Sequence, residues 1–343
     1  MVINGSCSAP VATVDGAGSF HVAARCGMGI RYATSKDGRT WVATTLKHPA
    51  HRFDVNPQIA VDGSTLYVAF TRLRPIDGGC GDDGLADVGV YYRTRRVPDG
   101  AWSAPVRIGD VGDRLQSFRV VDGVIHETFV SKDGEGPVSY GRLTGTRFWS
   151  VRIPGAVETS LRIGDDGLAR IAFSAGNKLR FASVRTDGRL STRTVFDGGS
   201  MQVSWPNLVL GPGNRAYVSW GAHQPWGGGC AEAEQTVPKP GTYFATDANG
   251  SWRVKRLASH VAPASLVVDL GNGSVHVVFK DRRSIRHFVR DAGGLWTNER
   301  VPRTARLDEV TLRQDPANRH LLLVGSTWVE DEPGSDIVAM TLS

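Results

Sequence analysis

Apolar and polar residues alternate along this chain in short runs, which are interrupted by Gly, Asp, Asn and Pro. Seven segments share one pattern: a short apolar strand, a tight turn and a second apolar strand. These segments begin near residues 10, 57, 117, 160, 207, 265 and 311. Third and fourth strands follow in most of them, and four strands at a period of about 40 to 60 residues is typical of a propeller blade. We therefore predict an all-β protein, a seven-bladed β-propeller with four-stranded antiparallel blades.

The two ends of the chain are expected to complete one blade together. The seventh repeat stops after its third strand, "DIVAMTL", and the short segment "VIN" at residues 2–4 is the candidate for the missing strand. Each blade in a propeller shares its core with its neighbours. Residues 1–343 are therefore predicted to form a single propeller domain.

A turn containing Asp, Gly and Trp recurs between the third and fourth strands, as "SKDGRTW", "DGAW", "DANGSW" and "DAGGLW". It is similar to the Asp box of the sialidase superfamily, Ser-x-Asp-x-Gly-x-x-Trp. Asp291, Gly293 and Trp296 keep the spacing of that motif, although Val289 stands where the family has Ser. The resemblance implies a propeller fold. It implies nothing about activity, because the Asp box of that family lies on the face away from the site.

Two departures separate the chain from true sialidases. That family uses a late Tyr nucleophile partnered by Glu, whereas no tyrosine follows Tyr243 here, and the family has six blades rather than seven. Sialidase activity itself is therefore not expected. Seven-bladed polysaccharide lyases resemble the chain in architecture and use His, Tyr and Arg to abstract a proton beside a uronate carboxylate. His223, at the end of a second strand, is the histidine best placed for that reaction, whereas His21, His126 and His276 are expected to be packed inside strands.

Charge and composition exclude several classes of partner. The net charge is +6, carried mostly by arginine, but the arginines are scattered and form no basic run, so no nucleic-acid partner is expected. Because no apolar run approaches the roughly 20 residues that cross a bilayer, no membrane partner is expected. The cysteines lack metal-binding spacing, so we predict no metal and no cofactor. A monomer is expected.

The four cysteines permit two disulfides. Cys7 and Cys26 flank two neighbouring strands at one rim of the first blade and are predicted to pair. Cys80 and Cys230 occupy the long glycine-rich loops of the second and fifth blades and would meet if both loops fold inward. Disulfides indicate secretion, although "MVINGSCSAP" has no signal-peptide pattern and free thiols remain the alternative.

Three arginines share one register on the predicted inner strands: Arg119, Arg162 and Arg313. Sialidases hold a substrate carboxylate with three arginines, and clustered guanidiniums offer bidentate hydrogen bonds to an anion. The alternative is that these arginines line a watery channel and pair across blades with carboxylates such as Glu158 and Glu309. The cluster is therefore a candidate carboxylate site.

Further polar and aromatic residues fall at the same predicted rim, where loops on a rigid scaffold carry binding groups. Paired carboxylates, or a histidine, can divide acid and base roles. The predicted catalytic residues are Asp54, Glu158, His223 and Glu309. The predicted substrate-binding residues are Arg72, Arg119, Arg162, Arg313, Trp205, Trp226 and Trp328.

These observations lead to one functional hypothesis and one alternative. We expect a secreted carbohydrate-active enzyme, either a glycoside hydrolase or a polysaccharide lyase, that acts on an anionic sugar at the channel mouth. The alternative is a non-catalytic lectin or protein-interaction propeller. Rim residues that differ from blade to blade favour one asymmetric site, and therefore an enzyme. The long loops of blades 2 and 5 are predicted to shape that site, because ordering extra chain costs roughly 1 to 2 kcal/mol per residue.

Overall fold

Seven antiparallel sheets make up the fold, six of four strands and one of three, each with its strands in sequence order. The protein is a seven-bladed β-propeller, which confirms the predicted fold class. This computed structural model describes residues 2–3, 5–75, 84–132, 135–225, 239–247, 250–302, 304–315, 319–327 and 336–342. No helix in those ranges is long and apolar enough to cross a membrane.

The chain forms two compact units, residues 1–152 with 306–343, and residues 153–305. The first unit contains blades 1, 2, 3 and 7. Their strands are Cys7–Val14 (β1), Phe20–Cys26 (β2), Gly29–Ser35 (β3), Val42–Thr45 (β4), Phe53–Asp62 (β5), Thr65–Pro75 (β6), Leu85–Arg96 (β7), Val106–Ile108 (β8), Arg114–Val121 (β9), Val124–Val130 (β10), Val138–Thr144 (β11), Arg147–Arg152 (β12), Leu307–Gln314 (β25), Leu321–Thr327 (β26) and Ile337–Leu342 (β27).

The second unit contains blades 4, 5 and 6. Their strands are Thr159–Ile163 (β13), Ala169–Ala175 (β14), Lys178–Val184 (β15), Leu190–Asp197 (β16), Gln202–Leu210 (β17), Ala216–His223 (β18), Gly241–Thr246 (β19), Arg253–Ala258 (β20), Ala264–Val268 (β21), Val275–Asp281 (β22), Ser284–Arg290 (β23) and Trp296–Val301 (β24). A 3-10 turn at Pro212–Asn214 joins β17 to β18.

Burial rises toward the middle strands of each blade and falls toward the outermost strand. All eight residues of β18, "AYVSWGAH", are buried, whereas all four of β4, "VATT", are exposed. A middle strand is covered on both faces by neighbouring blades and therefore carries an almost continuous apolar run. Trp220 illustrates the packing, because its side chain is fully buried against Phe196 and Tyr243.

The amino-terminal segment joins the seventh blade, as expected, but only through a bridge. Ile3 pairs with Ile337 in an isolated antiparallel bridge. The Val2 amide donates to the Ile337 carbonyl at 2.8 Å, and the Ile337 amide donates to the Ile3 carbonyl at 2.9 Å. Asn4 of the predicted "VIN" strand lies outside the described residues. Blade 7 therefore has three full strands and a short contact where the fourth would be.

The Asp-box-like turn of blade 1 is held by its own hydrogen bonds. Asp37 Oδ1 accepts the amides of Arg39 at 2.8 Å and Thr40 at 2.7 Å. These backbone bonds, that of Thr40 above all, hold the pKa of the exposed Asp37 carboxyl well below its usual range. Trp41 Nε1 donates to the Gly38 carbonyl at 3.1 Å and closes the turn. The motif is structural in this chain.

In several blades a histidine on the second strand contacts a Tyr or His ring diagonally opposite on the third strand. His21 Nδ1 lies 2.6 Å from the Tyr32 hydroxyl, and His126 Nδ1 lies 2.6 Å from the Tyr140 hydroxyl. Both histidines are buried, as predicted. Burial lowers the pKa of His126 to about 4, so it is neutral at physiological pH. In the corresponding pair of blade 6, His276 with His287, His276 is of intermediate burial.

Candidate functional site

The inner strands of four blades begin with a bulge that turns the backbone into the left-handed region. The residues there are not glycine: Ala9 has φ 50°, Asn56 52°, Trp205 56° and Glu309 27°. In each strand the pairing register with the second strand shifts at this point. A bulge re-aims side chains and is common next to binding sites. The bulges therefore decide where the predicted rim residues point.

Glu158 and Glu309, predicted as acid or base, hold the bulge of the next blade. Glu158 Oε2 accepts the Trp205 amide at 2.5 Å, and Glu309 Oε2 accepts the Ala9 amide at 2.6 Å. Each contact stays within one unit, and both repeat the same arrangement. A carboxylate that accepts a backbone amide at a strained turn stabilises that turn. Both side chains thus have a positioning role that the sequence did not predict.

Asp54 and Arg72, predicted in separate roles, bind each other. Arg72 donates from Nε to Asp54 Oδ1 at 2.7 Å and from Nη2 to Oδ2 at 2.9 Å. Both side chains are buried, that of Arg72 at 6% exposure and that of Asp54 at 4%. The Arg72 guanidinium also lies 5.3 Å from the Phe70 ring centre and 4.7 Å from that of Tyr91. Because a bidentate pair satisfies both groups, neither is free to bind a substrate without breaking it.

The three candidate arginines share one local contact. Each donates from Nη1 to the backbone carbonyl of the residue before it, which folds the side chain back along its inner strand. The pairs are Arg119 with Phe118, Arg162 with Leu161 at 2.7 Å, and Arg313 with Leu312 at 2.6 Å. The predicted common register is therefore matched by a common side-chain conformation.

Arg119 and Arg313 lie within electrostatic range of each other in the first unit. Burial lowers the pKa of Arg119 to about 9, and repulsion by Arg313 lowers it further in the same direction. Burial lowers the pKa of Arg313 to about 10. Neither guanidinium forms an ion pair with a carboxylate in the described part of the chain. Two like charges thus act on each other in the first unit, and the described residues supply no carboxylate partner for either.

Their interaction is a consequence of blade packing. In the first unit β25 packs beside β1, β1 beside β5, and β5 beside β9. Arg313 lies on β25 and Arg119 on β9, so two inner strands separate them along the ring. The electrostatic interaction between the two guanidiniums therefore reaches across two intervening inner strands. Arg162 belongs to the second unit.

A second cluster lies on blade 5. Ser204 Oγ is 3.0 Å from His223 Nε2, and His223 Nδ1 is 2.7 Å from the Gln224 carbonyl oxygen. The Trp205 and His223 rings lie 5.8 Å apart, centre to centre. Trp205 and Ser204 are half-buried and His223 is 8% exposed. The structure thus brings together two predicted residues, Trp205 and His223, and adds Ser204, which the sequence did not single out.

Two buried carboxyl groups of blade 3 were also missed by sequence reasoning. Glu127, 1% exposed, has no hydrogen-bond partner for either carboxyl oxygen in the described chain. Burial raises its pKa to about 8, with a smaller contribution from Asp113, whose own pKa is raised by burial to about 6. The aligned repeats contain a signal that could have identified Glu127, namely a charged residue at a position that is apolar in other blades. Glu127 lies opposite Phe118, and the corresponding positions of blades 4 and 7 are apolar, namely Ile171 and Leu323.

The predicted disulfide between Cys7 and Cys26 is confirmed, with an S–S distance of 2.02 Å. It joins the start of β1 to the end of β2, where the two residues are paired. Cys80, Cys230, Trp226 and Trp328 lie outside the described residues. Within the described ranges, no group of three or more His, Cys, Asp or Glu side chains is arranged to hold a metal ion.

Known proteins resemble the chain in structure only. No protein-family model matches it, and no curated protein matches it in sequence. An ulvan lyase of a new polysaccharide lyase family, solved bound to -[GlcA(1-4)Rha3S]-, has a TM-score of 0.68 at 13% identity and covers 100% of this chain and 96% of its own.

Two further structures have lower scores. The GH93 alpha-L-arabinofuranosidase of Fusarium graminearum has a TM-score of 0.56 at 12% identity, covering 98% of this chain and 93% of its own. Trypanosoma rangeli sialidase, in complex with the inhibitor DANA, has a TM-score of 0.52 at 10% identity, covering 98% of this chain and 67% of its own. At these identities the likeness shows the propeller fold alone.

Proposed function

We propose that the protein is a secreted carbohydrate-active enzyme that binds an anionic sugar through Arg119 and Arg313. The observation that carries this proposal is that two guanidiniums repel each other electrostatically and have no carboxylate partner in the described chain. Both residues are half-buried, and a charge that is partly removed from water is stabilised by a counter-charge. A carboxylate or sulfate on a sugar supplies that charge and accepts the paired hydrogen bonds that guanidinium groups offer.

Other observations support the same class of ligand. The likeness to an ulvan lyase solved with a glucuronate-containing sugar is one of them, although it rests on fold alone. The Cys7–Cys26 disulfide supports secretion, since disulfides persist in oxidising compartments.

One set of contacts favours the alternative, a propeller that binds a sugar without cleaving it. Asp54, Glu158 and Glu309 each commit a carboxylate oxygen to a partner in the protein, either Arg72 or a backbone amide. A general acid or base needs a free oxygen within reach of the substrate. Assays must therefore measure binding and cleavage separately.

The test uses the full-length protein with glucuronate-containing oligosaccharides and titration calorimetry. Arg119→Met should weaken binding by about 10- to 100-fold, since a hydrogen bond to a charged group contributes about 1.5 to 3 kcal/mol. The control is Arg147→Met, at an exposed position of the same blade. Equal affinity of the two variants would refute the arginine site.

Product analysis separates the three kinds of activity. A lyase leaves an unsaturated uronate, which absorbs ultraviolet light, together with a new reducing end. A hydrolase yields new reducing ends without that absorbance. Binding without either product would identify a lectin and would overturn the enzyme proposal while leaving the arginine site intact.

A further inference from the structure

We propose that Ser204 and His223 form a hydrolytic centre of their own, which cleaves carboxylic esters through an acyl-serine intermediate. The Ser204 hydroxyl lies 3.0 Å from His223 Nε2, within the reach of a nucleophile and its base. Both residues belong to blade 5. This proposal does not depend on the sugar specificity proposed above, and either can fail without the other.

The imidazole is held in the tautomer that a base requires. His223 Nδ1 lies 2.7 Å from the Gln224 carbonyl oxygen, which can only accept a hydrogen bond. Nδ1 must therefore carry the proton, and Nε2 carries the lone pair that faces Ser204. A third group that orients the base completes the arrangement of nucleophile, base and orienting acceptor.

The proposed centre also includes a side-chain amide on the same face of β17, that of Asn207. Ser204 lies opposite Gly221, and Asn207 lies opposite Ser219, two residues away along β18. Gly221 and Ser219 are alternate residues of β18 and therefore share one face. Their partners Ser204 and Asn207, which are separated by the extra residue of the bulge, lie on that same face. Asn207 Oδ1 is buried and has no hydrogen-bond partner in the described chain. In the proposed centre the Asn207 Nδ2 group would donate to the oxyanion.

The bulge places the serine beside an apolar wall. Trp205, with φ 56°, turns its indole to within 5.8 Å of the imidazole, and its amide is fixed by Glu158. Gly221 makes room for that indole, since a Cβ there would lie 3.0 Å from Trp205 Cε3. Ser204 itself is half-buried, so a small acyl group can reach it. The indole face is a suitable surface for the alcohol part of an ester.

The proposed reaction balances in two steps. In the first, Ser204 Oγ bonds to the ester carbonyl carbon while its proton passes to His223 Nε2. The bond from that carbon to the alcohol oxygen then breaks, and the alcohol leaves with the proton from Nε2. In the second, water attacks the acyl-serine with help from Nε2, releases the carboxylic acid and restores Ser204. No oxidant, metal or further reactant is required.

The test treats the full-length protein with a fluorophosphonate probe and, separately, with p-nitrophenyl acetate. We expect the probe mass on the peptide that contains Ser204, with loss of labelling and of ester hydrolysis in both Ser204→Ala and His223→Gln. The matched control is Ser274→Ala. Ser274 Oγ also lies 3.0 Å from a histidine Nε2, that of His276, but Ser274 is only 6% exposed. Labelling and hydrolysis should be unchanged in that variant.

Three results would overturn the proposal: no labelling of the wild-type protein, labelling at another serine, or hydrolysis that persists in Ser204→Ala. If Ser204→Ala does not fold, as judged by circular dichroism, the position of the label on the wild-type protein decides. Binding of glucuronate oligosaccharides should be retained in Ser204→Ala, which separates the loss of the ester reaction from any failure of the sugar site.

Discussion

Glu127 should make the stability of the propeller fall as pH rises through the neutral range. Its carboxyl is 1% exposed, and burial raises its pKa from 4.5 to about 8. A group whose pKa is raised by folding contributes its full stabilisation below the unfolded value, and that stabilisation is lost as pH rises to the folded value. At about 1.4 kcal/mol per unit, the free energy of unfolding should fall by about 3 kcal/mol between pH 4.5 and 7. The loss should reach about 5 kcal/mol above pH 8.

Replacing Glu127 with Gln removes the ionisable group and keeps the shape. We expect Glu127→Gln to match the wild-type protein in stability near pH 4.5, because the protonated Glu127 carboxyl, which has no partner in the described chain, and the Gln amide are then both uncharged. Near pH 9 the variant should be more stable by about 5 kcal/mol. Part of the pH dependence should remain below about pH 6, where Asp113, raised by burial to about 6, acts in the same direction.

Urea unfolding followed by tryptophan fluorescence, at pH values from about 4.5 to 9, measures this difference. Glu135→Gln is the control, because Glu135 is an exposed residue between β10 and β11 in the same blade. That variant should follow the wild-type curve. If Glu127→Gln and the wild-type protein lose stability equally between pH 5 and 9, then Glu127 ionises freely in the folded state and the argument from its burial is wrong.

Two further predictions concern stability. Cys7→Ser should lower the free energy of unfolding by about 3 kcal/mol under non-reducing conditions, because the bridge to Cys26 closes a short loop with a separation of 19 residues. Equal urea midpoints for Cys7→Ser and the wild-type protein would contradict this. Asp54→Ala should lower it by about 3 to 5 kcal/mol, since the buried Arg72 guanidinium loses its bidentate partner. The double variant with Arg72→Met should recover much of that loss, and a failure to recover would show that the pair is not the cause.

The sequence predicted those features of the fold that depend on residues close together in the chain. Strand periodicity and turn residues are local, so they predicted seven blades, the three-stranded last repeat and the structural Asp-box turn before any contact was known. The Cys7–Cys26 pair was predictable for a related reason: both residues flank the hairpin formed by β1 and β2, whose register pairs them directly. Asp54 and Arg72 face each other in the same way across β5 and β6, so strand register contained that ion pair too.

The partners of the other site residues depend on contacts between blades, and only the tertiary structure decided them. Glu309 meets the amide of Ala9, 300 residues away, and Glu158 meets that of Trp205. Both contacts require bulges with left-handed backbone at Ala9 and Trp205. Such bulges could not be predicted from the sequence, because neither residue is glycine. Arg119 and Arg313 interact electrostatically because four inner strands pack side by side. Residue type and strand register determined which chemical groups lie at the starts of the inner strands, but packing between blades determined which of them are paired within the described chain.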